Sequence, residues 1–295
     1  MFTPRPNDND LSALFHPTGP DATTVSVVCI SDTHNTRPDA PTGDILIHAG
    51  DMTQSGSFTE IQATLDWLNV QPHAHKIVVG GNHDVLLDST RDAQHVAGAE
   101  VARDERERLD WGGIIYLEGR GTTVQVRCGN GEMREVKVYG SPRSVRNGNW
   151  AFQYPRGDDG WGSAGGQRGD NGEIPEDVDI LITHGPPKAH LDLMGLGCEH
   201  LLREVWRVKP KLHVFGHVHA GYGLEVLRFG ALQEAYEGVV VSRGGMKGLG
   251  QLVMGLVLSF LRVGGAGGRE TLLVNAAVVG GLRDEQSRRA RKVYI

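Results

Sequence analysis

The sequence predicts an α/β domain built on a largely parallel sheet, and three observations carry that prediction. Short apolar runs recur along the chain, each ending in a polar, glycine-bearing loop. A helical pattern stands between two of them, so strand, loop, helix and strand alternate as in βαβ units. The 295 residues, 39% of them hydrophobic and 22% charged, have a globular composition and suit one large domain or two small ones.

The elements follow in order. Residues 1–23, rich in Pro, Asp and Asn, read as a loose lead-in. A β-branched run over 24–30 stops at Ser31-Asp32, as a buried strand does. Ile45-Leu46-Ile47 repeats the design. Ser57, with Glu60 three residues on, forms a capping box ahead of Ile61, Leu65 and Leu68 at helical spacing. "HKIVVGGNHD", "VDILITHGPP" and "KLHVFGHVH" supply three more strands, and "TLLVNAAVVGG" looks like a last one.

Two regions break this order. Residues 143–173 show little periodicity and read as a long ordered loop or a pair of short strands. Residues 224–270 carry an apolar stretch, Leu252 to Val263, too short to span a bilayer at roughly 20 residues. It reads as a buried helix, with membrane-surface or partner contact by residues 250–263 as the alternative.

The formal charge of −6 argues against a general nucleic-acid binder, whose footprint would be basic. Cys29, Cys128 and Cys198 form no C-x-x-C pair and read as reduced thiols of an intracellular, cytoplasmic protein. The N-terminus has no basic head followed by an apolar run, so no secretory signal is expected.

Five loops directly after strands end in metal-ligand residue types: Asp32-x-His34, Gly50-Asp51, Gly81-Asn82-His83-Asp84, His184-Gly185 and Gly216-His217-x-His219. One Asp-x-His alone is more often a turn and cap. Five in succession are different, because parallel strands bring their C-terminal ends to one edge. Carboxylate, imidazole and amide oxygen together suit Mn, Fe, Ni or Zn more than Ca.

This order of motifs resembles the calcineurin-like metallophosphoesterase superfamily. "CISDTHN", "GDILIHAGDMT", "KIVVGGNHD", "VYGSP", "DILITHGPP" and "LHVFGHVHAGYG" look like its metallophosphoesterase-domain-containing family, related to class III cyclic-nucleotide phosphodiesterases. The likeness covers about residues 25–280 and departs around 158–173 and 230–270. It implies a four-layer α/β/β/α sandwich with a dimetal site at strand C-terminal ends. One domain would cover 24–282, with insertions near 156–173 and 230–270, and 283–295 would be a solvated basic tail.

The resemblance also implies two divalent metal ions, Mn, Fe or Zn. Asp32, His34 and His219 would hold the first; Asn82, His184 and His217 the second; Asp51 would bridge them. A metal-bridging hydroxide would attack a phosphodiester, cyclic nucleotides included, among small-molecule or nucleotide phosphoester substrates. His83 is the candidate general acid, oriented by Asp84. Arg143 and Trp150 are candidate substrate contacts, with loop packing as the alternative, and His48 is either a partner of the site or a core residue. Gly216 is expected to let the chain turn so that both imidazoles face the cations. The run "GDMTQSG" lacks the arginine of protein phosphatases, which tilts the expectation toward diesters. The alternatives are a phosphomonoesterase or protein phosphatase, or a non-catalytic metal-binding scaffold acting through 224–270.

Overall fold

The apolar runs pair as expected, into two sheets. The structure is a computed structural model that describes residues 23–94, 98–157, 174–193, 195–241, 250, 269–281 and 285–295. In the first sheet β1 (Ser26–Ile30), β2 (Ile45–His48), β3 (His75–Val78) and β4 (Ile114–Tyr116) run parallel in that order. Helix α1 (Phe58–Asn69) joins β2 to β3, and its Ser57–Glu60 capping box is present. Helix α2 (Ala99–Glu107) precedes β4.

The second sheet is built from β5 (Arg120–Arg127), β6 (Met133–Ser141), β9 (Ile180–Thr183), β10 (Leu212–Phe215), β11 (Gly223–Arg228) and β12 (Glu270–Asn275). Its inner strands β6, β9, β10 and β12 are parallel, while β5 and β11 close the two edges antiparallel. Between β6 and β9, the stretch starting at 143 forms a two-stranded parallel ribbon, β7 (Ser144–Val145) with β8 (Gln153–Tyr154). A second ribbon pairs β13 (Val279–Gly280) with β14 (Gln286–Ser287).

Because side chains alternate across a strand, each sheet has two apolar faces. Val27, Cys29, Ile45, Ile47 and Ile77 meet Val136, Val138, Ile180, Val214 and Val274 between the sheets. The outer face of the first sheet, with Val28, Ile30 and Leu46, is covered by Ile61, Leu65 and Leu68 of α1. The outer face of the second, with Leu181, Phe215 and Leu273, is covered by Leu201, Val205 and Val208 of α3 (Glu199–Val208). The fold is thus a four-layer α/β/β/α sandwich. Covering both faces of each sheet explains why its strands read as continuous apolar runs.

The expectation of a solvated tail is corrected. Arg291–Tyr294 form β15, which pairs antiparallel with β1 and sets Val293 opposite Val27. Val293 joins the inter-sheet core. Within the strand Lys292 points outward while Val293 points inward, and the strand covers the open edge of β1. "TLLVNAAVVGG" is therefore not the last strand. The glycine-rich stretch 158–173, with Trp161, lies outside the described residues, as does most of the apolar segment at 250–263. Among the described residues no helix is long and apolar enough to cross a membrane.

The start of the 230–270 region is the helix α4 (Ala231–Val241). A buried charged network fixes it. His190 Nδ1 lies 2.8 Å from Glu225 Oε1 on β11, and its Nε2 lies 3.0 Å from Glu237 Oε1 on α4. Trp206 of α3 donates from Nε1 to the other Glu237 oxygen at 2.6 Å. Burial alone would lower the imidazole pKa, but the two carboxylates outweigh it and raise it to about 9. The folded state therefore binds this proton more tightly than the unfolded chain. The resulting stabilisation is fully present below pH 6.5 and is lost as pH rises through about 9. His190→Gln is expected to lower stability by on the order of 2 kcal/mol in mildly acidic buffer. Urea midpoints of variant and parent should converge as pH rises past about 9; an unchanging gap would contradict the assignment.

Candidate metal centre

The C-terminal ends of β1, β2 and β3 in one sheet and of β9 and β10 in the other meet at one edge of the sandwich, where two carboxylates stitch their loops. Asp32, after β1, accepts the His217 backbone N–H with both oxygens at 3.0 Å. Asp51, after β2, accepts the His83 N–H at 2.7 Å. Backbone bonds tighten the seam: Asp32 N–H donates to the Gly50 carbonyl at 2.8 Å, and Gly216 N–H to the His184 carbonyl at 3.0 Å.

Three overlapping groups of side chains result, each with its ligand atoms within 4.8 Å of one another. They are Asp32, His34 and His219; His34, Asp51 and His83; and Asp51, His184 and His217. Asn82 joins the last, since its Oδ1 lies 3.0 Å from His184 Nε2. All seven residues marked as ligands by the sequence pattern thus come together.

The residues fit divalent cations on two counts. His34 is buried, yet neither ring nitrogen has a hydrogen-bond partner, which a metal ligand would explain. His184 sits with Nδ1 3.0 Å from the Ala49 carbonyl and Nε2 3.3 Å from Asp51 Oδ2. Burial opposes its charge, but Asp51 raises its pKa to about 9. That proton occupies the direction a cation would take, and the Ala49 carbonyl fixes the ring for either one.

The electrostatics follow from burial. It pushes the Asp32 and Asp51 carboxyls up, but His219 and His184 respectively outweigh it and hold both below the usual carboxylate range. Burial lowers His217 to about 4 and His34 below its ordinary value, so both imidazoles stay neutral and keep lone pairs. The backbone here is strained. Asp32, His34, Asp51 and His217 all take the left-handed conformation, with φ of 51°, 42°, 52° and 65°.

His83 stands at the rim. Its ring stacks on Trp150 at 4.4 Å between centroids and 25° between planes, and His34 meets it edge-on at 4.7 Å. Its Nδ1 lies 2.8 Å from the Gln54 carbonyl. This corrects the expected role of Asp84. The Asp84 carboxylate accepts from the backbone N–H groups of Met52, Thr53 and Gly81 and from Thr53 Oγ1, so it braces two loops and leaves orientation of His83 to Gln54. Burial, then the charge of Asp51, raises Asp84 to about 6. A backbone carbonyl such as that of Gln54 leaves no signal in the sequence.

Gly216 is also reassigned. The left-handed turn falls on His217, and a Cβ at Gly216 would sit 2.0 Å from Asp32 Oδ2 and 2.1 Å from Ser31 Oγ. Glycine is needed there for the close approach of Asp32. His48 and His213 belong to the core, bonded to Thr33 and Thr183 hydroxyls at 2.9 and 2.8 Å. Arg143 and Trp150 both line a cleft of about 180 Å³, and Arg143 with Tyr154 also lines a crevice that touches His217.

Comparison with known proteins agrees with this geometry. The family model described as calcineurin-like phosphoesterase matches residues 25–221. The chain is 45% identical over 268 residues to a probable rhamnogalacturonate lyase C of Emericella nidulans, spanning 90% of this chain and 24% of that protein. It is 38% identical over 218 residues to metallophosphoesterase domain-containing protein 1 of Homo sapiens, spanning 67% of this chain and 61% of that one. A UPF0046 protein of Caenorhabditis elegans, T07D4.2, is 33% identical over 217 residues, 68% of this chain and 52% of that one. The chain therefore spans only part of the length of each of these relatives.

Gly216→Ala is expected to displace Asp32 and weaken divalent-cation binding about 10–100-fold. Gly113→Ala, whose Cβ would meet nothing within 4 Å, is the control. Calorimetric titration with Mn²⁺ distinguishes them; equal affinities would refute the close-approach argument.

Proposed function

This chain belongs to the calcineurin-like phosphoesterase family, and from that membership we propose that it hydrolyses phosphodiesters with two divalent cations drawn from manganese, iron and zinc. The observation that carries this reading is the chain of overlapping Asp/His groups along one sheet edge. Asp32, His34 and His219 would hold one cation; Asn82, His184 and His217 the other. Asp51, whose Oδ2 lies 3.9 Å from His34 Nε2 and 3.3 Å from His184 Nε2, would serve both. When bound, such a pair supplies a water acidic enough to attack near neutral pH and positive charge for the phosphoryl oxygens.

The chain's own residues divide the remaining work. Donation of the Nδ1 proton to the Gln54 carbonyl assigns His83 Nε2 to carry the proton that the leaving alkoxide needs. Trp150 and His34 restrict the ring to that orientation. Trp150 walls the substrate side, and Arg143 lines the cleft beside it, so a substrate held at the Asp/His groups would have that arginine within its surroundings. A small-molecule or nucleotide phosphodiester fits this division better than a phosphoprotein, because no arginine follows Asp51 in "GDMTQSG".

The test is metal content per chain together with hydrolysis of a nitrophenyl phosphodiester in added Mn²⁺. Two metals per chain are expected, and Asp51→Asn or His217→Ala should lower kcat on the order of 10³-fold. Full activity in both variants would overturn the mechanism. His83→Ala should keep its metals yet slow esters with alkyl leaving groups by about 10²–10⁴. Nitrophenyl esters, whose leaving group needs no proton, should suffer far less; equal losses on the two ester types would remove His83 from the acid role.

A further inference from the structure

We propose that the cleft behind Trp150 is a second anion-binding subsite, selecting phosphodiesters that carry a further phosphate on the arm retained after cleavage. This inference rests on the phosphoesterase reading above. Three guanidinium groups from two parts of the chain line this one cleft of about 180 Å³: Arg91, and Arg143 and Arg146 on either side of β7. Two carboxylates share it, and both are engaged. Asp88 accepts from the Thr90 N–H and hydroxyl and from the Phe152 N–H, while Glu118 accepts from the Tyr116 hydroxyl at 3.0 Å. With three guanidinium groups against two carboxylates that are turned to other donors, the cleft keeps a formal excess of positive charge on a chain whose net charge is −6. Arginine forks match phosphate oxygens in geometry as well as in charge.

The cleft is joined to the catalytic edge and is held firm. Trp150 forms one wall, stacks on His83 and is itself 41% exposed. Arg143 and Tyr154 also line a narrow crevice that His217 borders. Ala151 N–H donates to the Asn82 carbonyl at 3.2 Å and Arg146 N–H to the Tyr154 carbonyl at 2.8 Å, which ties the wall to a candidate ligand loop and to the β7–β8 ribbon. A substrate with its scissile phosphate at the Asp/His groups can thus extend its other arm past Trp150 toward the arginines. Electrostatic attraction there would act on binding of the second phosphate and would be realised in KM.

The experiment uses the full chain with Mn²⁺ and two substrates: the nitrophenyl ester of thymidine 5′-phosphate, with and without a 3′-phosphate. The 3′-phosphorylated ester should show a kcat/KM at least about tenfold higher, mainly through KM. Arg146→Gln, at an exposed position, and Arg91→Gln should bring that ratio toward one, and Arg146→Lys should keep part of it. Nitrophenol released from both esters with equal efficiency overturns the subsite and leaves the phosphoesterase reading standing. A preference that both glutamine variants retain also overturns it. No release from either ester overturns the phosphoesterase reading, and the subsite with it.

Discussion

Two carboxylates with almost no exposure to water, Asp32 and Asp51, organise the working edge of this protein. Burying an anion is costly unless opposite charge and hydrogen-bond donors surround it. Here the donors are backbone N–H groups from the opposite loops, and the positive charge comes from imidazoles. Each carboxylate therefore acts twice. It draws two strand ends together, and it makes the space between them favourable for cations.

That arrangement strains the chain. Asp32, His34, Asp51 and His217 all lie in the left-handed region, which non-glycine residues rarely enter. A Cβ at Gly81 would come within 2.1 Å of the Asp51 nitrogen, and the approach at Gly216 is as tight. Such strain persists only on a rigid support. The support is the four-layer sandwich, whose strands are covered on both faces and whose first sheet is extended past β1 by β15. Asp84 adds a local brace with four accepted bonds.

Around this fixed edge, the surface divides by chemistry. The Asp/His groups lie at the seam of the two sheets, and Trp150 separates them from the arginine-lined cleft. The buried His190 pair to Glu225 and Glu237 fastens α4 elsewhere on the second sheet. The Asp/His groups, the arginine-lined cleft and the buried His190 network therefore occupy separate places, each with its own neighbours.

By itself the sequence determined the α/β class, the parallel strands at β1, β2, β3, β9 and β10, and the identity of the seven candidate ligands. These were legible because apolar runs covered on both faces and ligand-type residues at strand ends are local patterns. Tertiary structure alone decided the rest. It turned the last residues into β15, because the open edge of β1 is invisible to a local charge count. It gave the orientation of His83 to the Gln54 carbonyl and made Asp84 a brace, because hydrogen-bond geometry across loops has no sequence spacing. It also moved the turn from Gly216 to His217, since the constraint on that glycine is the carboxylate of Asp32, 184 positions earlier in the chain.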